Sequence, residues 1–415
     1  MDRPHHIVTD IYTAQPRLRA ISSSGAMVTL SDSKQYIDLM NGKGSVTLGH
    51  HHPAVNSAIT RHLQRGLGSA TCWSNLHEVL TSRIIDDVGM DDARIALFST
   101  GTEACRAAVQ VARQFTGRHV IASAGYHGWG DYWTSSDCLL EVNASGIIDF
   151  YFVPELLEQV LERYRGQMAL VILSPDYVHL QPETLRRLAQ IARHERVMLC
   201  CDDVKQGYRS VRASQFFATV GFHADLYTFA KGLANGHRLS CLVGRSDVMA
   251  AAKEFTYTAY FDTIPLVAAL ATLDYMDSHD GYQRLVKCGA TLAALMRNIV
   301  QRWALPVEIY GDGPMLQIVG ATEALDQALY ANFAMAGLLL YEGDNQAVSL
   351  ATGEVLDELL DRFEKGVIVT SQQCVSASPA SISQRRRFQA AFRMIDGATD
   401  VVSAEEAIHW IKEER

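Results

Sequence analysis

The chain has 415 residues, 48% of them hydrophobic and 20% charged, the balance of a folded protein with a sizeable core. That length fits two domains, or one large α/β domain with a smaller partner, and the composition excludes disorder, collagen or coiled coil as the main architecture. Lys and Arg number 37 against 46 Asp and Glu, a net charge of −9, which argues against duplex nucleic acid as a partner and tolerates a cationic small molecule.

The eight cysteines (Cys72, Cys105, Cys138, Cys200, Cys201, Cys241, Cys288 and Cys374) are scattered, without a CxxC pair. Neither a disulfide framework nor a zinc cage is expected; free thiols in a reducing cytoplasm are. No signal peptide is evident after Met1–His6, and no apolar run is long enough for a membrane span.

In chain order, Met27–Leu30 and Gln35–Leu39 alternate around a polar turn, and Pro53–Arg65 has helical spacing. From about residue 94 the pattern becomes strand–helix alternation. Strands are predicted at Arg94–Phe98, His119–Ala122, Ile148–Val153, Ala169–Leu173, Val197–Cys201, Asp225–Phe229 and Cys241–Gly244, with helices at 103–115, 154–165 and 181–195. Short apolar runs separated by amphipathic helices predict an α/β fold, a mostly parallel sheet covered on both faces. Long helices follow at Leu266–Met276 and Leu285–Trp303. The remainder reads as α+β, with strands at Val307–Tyr310, Met315–Val319 and Leu338–Tyr341 and helices at 322–335, 354–364 and 403–413. Lys365–Gln389 is weakly patterned and reads as a mobile loop, with Arg385–Arg387 a solvated face.

Four motifs fall at predicted strand ends, where open α/β sheets bind ligands. Ser99-Thr100-Gly101-Thr102 opens a helix; its free N–H groups and hydroxyls make an anion cradle, or an ordinary N-cap on Ser99 or Thr102. Gly125-Tyr126-His127-Gly128-Trp129 offers a ring to stack on a planar cofactor, or a surface turn with a half-buried Tyr126. Asp202 and Asp203 end a hydrophobic strand, where one carboxylate can hold a heteroaromatic nitrogen protonated; helix capping or Mg²⁺ binding is the alternative. Lys231 follows a strand among small residues, where desolvation makes an amine nucleophilic, or it is an exposed turn lysine. Phosphate cradle, stacking ring, ring-nitrogen acid and imine-forming lysine are together the four needs of pyridoxal 5′-phosphate (PLP). His50, His51 and His52 are consecutive and do not share a face, so no metal site is expected.

These residues resemble the class III aminotransferases of PLP fold type I. Asp38–Pro53 is similar to that family's "D…GxG…LGHxHP", Ser99–Ala104 to "NSGTEA", Gly125–Gly128 to "GYHG", and Asp202–Arg209 to "DEVxxGFR" with Asp203 where Glu is usual. Within the family, Ser123–Gly128, Val204-Lys205, Ala230–Gly232, Ala234–His237, Leu305–Ile309, Gly343–Gln346 and Val348-Ser349 resemble the 6′-aminotransferases of aminoglycoside biosynthesis, the neamine transaminase group.

The resemblance implies a large domain with a mostly parallel seven-stranded sheet and a smaller α+β domain built from both termini. Residues 1–50 would join the small domain, 51–290 form the PLP-binding domain, and 291–415 the C-terminal small domain. Lys231, Asp202 and Tyr126 would be catalytic, with Lys231 bonded to the cofactor. Thr100, Gly101 and Thr102 would hold its phosphate. The family's phosphate-binding Thr before Asn-Pro is replaced by Tyr260, which leaves Thr258 or Thr263 to complete the site from the neighbouring subunit. An amino-acid donor, glutamate by analogy, and an aminoglycoside acceptor would be the substrates. Lys205 is a candidate substrate contact, and Asp344, Asn345 and Glu342 are candidates to contact a polycationic sugar, or belong to a solvated loop. A homodimer in the cytoplasm is implied. A PLP-dependent epimerase recruiting Cys138 or Tyr132 as second proton carrier is the alternative with the same cofactor. A non-catalytic sugar- or nucleotide-binding α/β protein is the alternative of another class.

Overall fold

The computed structural model describes residues 19–66, 72–130, 140–257, 259–373, 382–383 and 409. Its strands are β1 (Ala20–Ser24), β2 (Met27–Leu30), β3 (Gln35–Asp38), β4 (Ala93–Phe98), β5 (Val120–Ala124), β6 (Ile147–Asp149), β7 (Met168–Leu173), β8 (Met198–Asp202), β9 (Leu226–Phe229), β10 (Ser240–Arg245), β11 (Val307–Tyr310), β12 (Met315–Gly320), β13 (Leu338–Leu339) and β14 (Gln346–Ala347).

Seven of them form the central sheet in the order β4-β10-β9-β8-β7-β5-β6. All neighbours pair in parallel except β10, which runs antiparallel to both β9 and β4. The sheet is apolar on both faces because successive side chains feed two cores. Ile121, Ile172, Cys200 and Leu242 pack into one; Ala122, Val171, Cys201 and Val243 pack into the other. The helix Gly101–Thr116 covers the first face with Ala104, Ala107, Ala108, Val111 and Ala112 buried, and these short side chains let it lie close to the strands. Two smaller sheets, β1-β2-β3-β13 and β11-β12-β14, complete the fold.

Several sequence expectations need correction. Of the predicted strand 148–153 only Ile148 and Asp149 pair, as part of β6, because Tyr151 and Phe152 turn away with φ of 50° and 55° before Pro154 starts the next helix. Leu338–Leu339 alone remains of the strand predicted to Tyr341. Residues 365–373 are not a loop but the end of the helix Leu356–Gln373, whose Leu359, Phe363, Val367 and Thr370 are buried at helical spacing. The ring of Phe363 stacks on Phe333, 4.7 Å away, and that contact supplies the apolar partner the polar sequence hides. Apart from residues 382–383, the rest of that predicted loop, Arg385–Arg387 included, lies outside the described residues, as does all of the predicted helix 403–413 but residue 409. Asn75–Val88 is a helix that was not anticipated; Ser74 caps it.

Candidate active site

Strands β4, β5, β7, β8 and β9 all point the same way, so their C-terminal ends share one edge of the sheet. The four motifs meet there. Gly101 lies against Val204: a Cβ at position 101 would fall 2.6 Å from Val204 Cγ1, so the cradle and the carboxylate loop touch only because residue 101 is glycine. Gly125, at φ 108°, passes equally close to Ser174 at the end of β7.

The helix cap is Thr100, not Ser99 or Thr102. Its Oγ1 accepts the Glu103 N–H (3.3 Å) while Glu103 Oε2 accepts the Thr100 N–H (2.7 Å), a capping box. Ser240 at the start of β10 donates its hydroxyl to the Thr100 carbonyl (2.6 Å) and holds the cap to the sheet. The first-turn N–H groups of this 16-residue helix point at the shared edge, with a favourable dipole for an anion. Tyr126 is 57% exposed, so its side chain is open to contact.

Asp202 is fully buried, and four donors converge on it. Its Oδ1 accepts from the Thr228 hydroxyl (2.8 Å) and the Val204 N–H (3.1 Å). Its Oδ2 meets His127 Nδ1 (2.7 Å) and the Cys105 thiol (3.2 Å). Burial pushes this carboxyl up, but the His127 hydrogen bond and charge, with Thr228 and Val204, outweigh it and hold the group below the usual carboxylate range. An ionised carboxylate only accepts, so Nδ1 of His127 carries the proton. Cys105, His127 and Asp202 are also metal-ligand types, but their separations are those of hydrogen bonds, and burial keeps the Cys105 thiol protonated. Asp203 faces away from this group. Ser214 donates to its Oδ2, and burial pushes its carboxyl up to about 7.

Lys231 is half-buried and held at φ 43°, a conformation costly for a side-chain-bearing residue and often found at functional positions. Asn235, four residues on, fixes this turn to the loop after β3: Oδ1 accepts the Leu48 N–H (2.8 Å) and Nδ2 donates to the Gly49 carbonyl (3.1 Å). Burial, then the nearby ammonium of Lys205, bring the Lys231 amine down to about 8.

The residues expected to contact an acceptor also come together. Lys205 Nζ lies 2.7 Å from Asp344 Oδ1 and 3.4 Å from Asp176 Oδ2, and Asn345 Nδ2 donates to Asp176 (2.7 Å). Glu342 is exposed. Thr263 is buried with its hydroxyl 2.7 Å from His62 Nε2. Thr258, Tyr132 and Cys138 lie outside the described residues. Sequence reasoning missed His127, Cys105 and Asp176. His127 was quoted only as the neighbour of Tyr126, and Asp176, after Pro175 at the end of β7, carries the same strand-end signal that picked out Asp202.

The sheet edge therefore brings together a helix start suited to a phosphate, a buried ionised carboxylate and a suppressed amine, a set that fits PLP. The family model described as "Aminotransferase class-III" matches residues 13–137 and 153–366. The chain is 30% identical over 346 residues to 2′-deamino-2′-hydroxyneamine transaminase of Streptomyces kanamyceticus, covering 82% of this chain and 88% of that one. A solved transaminase with PLP bound superposes with a TM-score of 0.79 at 22% identity, covering 89% of this chain and 94% of the other. A β-phenylalanine aminotransferase from Variovorax paradoxus superposes with a TM-score of 0.78 at 20% identity, covering 90% and 91%. With a family match across most of its length, the chain belongs to the class III aminotransferases, PLP-dependent transaminases.

Proposed function

We propose that this enzyme moves an amino group from an amino acid, L-glutamate, to the 6′-oxo group of an aminoglycoside intermediate in antibiotic biosynthesis. The observation that carries the transfer itself is the suppressed Lys231 amine on the same sheet edge as the ionised, buried Asp202. The acceptor class is supported by the Streptomyces kanamyceticus relative, named for a neamine-type substrate, and by the Leu305–Ile309 and Gly343–Gln346 segments.

The cofactor supplies the electron sink and carries the amino group. Lys231 Nζ takes the proton from the donor Cα and returns one at the acceptor carbon, a role suited to an amine near neutrality. Asp202 keeps the ring nitrogen protonated, and Tyr126 covers the ring. Gly101 and Thr102, with Thr100, hold the phosphate; Thr258 or Thr263 completes that site across a homodimer. The large exposed rings of Trp73 (60%) and Trp129 (83%) support such an interface. Lys205, Asp344 and Asn345 meet the acceptor. The chain divides at about residues 50 and 290, with both terminal segments in the small domain. A cytoplasmic location is supported by the free thiols of the described cysteines. No helix among the described residues is long and apolar enough to cross a membrane.

The test is the absorption of the purified holoenzyme, first with glutamate alone and then with a panel of 6′-oxo aminoglycosides. Loss of the yellow band with glutamate, and its return with a member of the panel, is expected. Bleaching by glutamate with no response to any panel member would remove the acceptor assignment. No response to glutamate would remove the donor.

A further inference from the structure

Asp202 has more donors than a cofactor-pairing carboxylate can keep. Its two oxygens already accept from the Thr228 hydroxyl, the Val204 N–H, His127 Nδ1 and the Cys105 thiol. A pyridinium N–H needs one of these acceptor positions. Three of the four donors are oxygen- or nitrogen-based and lie at 2.7–3.1 Å. The thiol, at 3.2 Å, is the weakest donor of the set. It also has a second acceptor at hand, because Cys105 Sγ lies 3.7 Å from Thr228 Oγ1. That hydroxyl spends its proton on Asp202 Oδ1 and keeps lone pairs to accept. Cys105 sits on the second turn of the cradle helix, fully buried, so its side chain has no competing contact with solvent.

We propose that Cys105 is a positioning residue whose thiol is the exchangeable donor on Asp202: it holds Oδ2 in the cofactor-free chain, releases that oxygen to the ring N–H, and turns to the Thr228 hydroxyl. This rests on the reading that Asp202 pairs with the ring nitrogen. Two consequences separate it from simple packing. The thiol hydrogen bond weakens on loading, since a hydroxyl is a poorer acceptor than a carboxylate. And the strength of the donor at position 105 opposes cofactor binding: Cys105→Ala frees the oxygen, while Cys105→Ser puts a stronger donor on it.

The experiment is infrared absorption of the full chain in the S–H stretching window, without and with PLP, with the Cys105 band assigned by its loss in Cys105→Ala. The band is expected to move to higher frequency on loading. In parallel, quenching of tryptophan fluorescence gives the Kd for PLP. Cys105→Ala should bind about two- to fivefold tighter than the wild type and Cys105→Ser weaker by a similar factor, the worth of one modest hydrogen bond. An unmoved band, or weaker binding in both variants, overturns the proposal. Loss of the band in Cys105→Ser assigns it equally well, so the wild-type difference spectrum decides even if Cys105→Ala misfolds. Asp202→Asn tells the two failures apart. If it weakens PLP binding strongly while the Cys105 band stays still, only the exchange is wrong; if it leaves the Kd unchanged, the pairing of Asp202 with the ring falls as well.

Discussion

Asp202 and Asp344 both act electrostatically on Lys231, yet their surroundings have little in common. Asp202 is 1% exposed and held by four donors from four different segments of the chain. The Asp344 side chain is 34% exposed and is held by the flexible Lys205 and by the adjacent Asn345 N–H (2.6 Å). A carboxylate fixed from every side keeps one charge state and one direction, which suits a constant cofactor. A carboxylate paired with one half-exposed lysine can exchange that partner for a ligand's ammonium at small cost, because partly exposed ion pairs contribute only about 0–1 kcal/mol. On the proposed roles, chemistry and selection would be divided between a saturated floor and an exchangeable rim.

The largest break in this division comes at Lys231. Lys231→Ala should lower turnover by on the order of 10⁴-fold, read as single-turnover transfer from glutamate. In the wild type, the rate at which the cofactor-free chain takes up PLP should climb with pH through about 8 and level off above it, because only the neutral amine reacts with an aldehyde. A flat profile would show that the amine is not suppressed.

Next is the floor itself. Asp202→Ala removes the buried charge that the proposed function pairs with the ring nitrogen and should lower kcat by about 10²–10³-fold, with a smaller change in KM for the donor. A loss confined to KM would place Asp202 in binding alone.

Asp203 gives a stability effect of intermediate size. Folded, it keeps its proton up to about 7; unfolded, it releases it near its ordinary value of 3.8. The folded state therefore binds more protons between those limits, and this group's contribution to stability is full below the lower one and fades as pH rises to about 7. Thermal midpoints measured from pH 4 to 7 should fall less steeply in Asp203→Asn than in the wild type. Parallel curves would mean that Asp203 is already ionised in the fold.

The rim should give the smallest effect. Asp344→Asn is expected to raise KM for a polycationic acceptor by about two- to fivefold and leave kcat with glutamate unchanged. Steady-state kinetics with each substrate varied in turn separate the two. An equal effect on both half-reactions would make Asp344 part of the floor.

Much of this was legible in the sequence because the information is local. The apolar runs of β5, β7 and β8 carry no polar break, so they read as buried strands without any knowledge of their neighbours. Gly101, Asp202 and Lys231 stand at strand ends, where a polar or glycine residue after an apolar run is visible by itself. The helix through residue 373 was hidden because Glu364, Lys365 and the Ser-Gln end dilute its apolar face until the Phe333 contact is known.

The sequence by itself determined the order of the motifs, the mostly parallel sheet and the residue types at the strand ends, because strand periodicity and strand-end chemistry act over a few neighbouring residues. Only the tertiary structure decided that Cys105 and His127 share one oxygen of Asp202, that Asp203 turns to Ser214, and that Asp176 gathers Lys205 and Asn345. Those contacts join residues separated by 11 to 169 positions, and at that range spacing carries no signal; sheet order and side-chain direction set the partners.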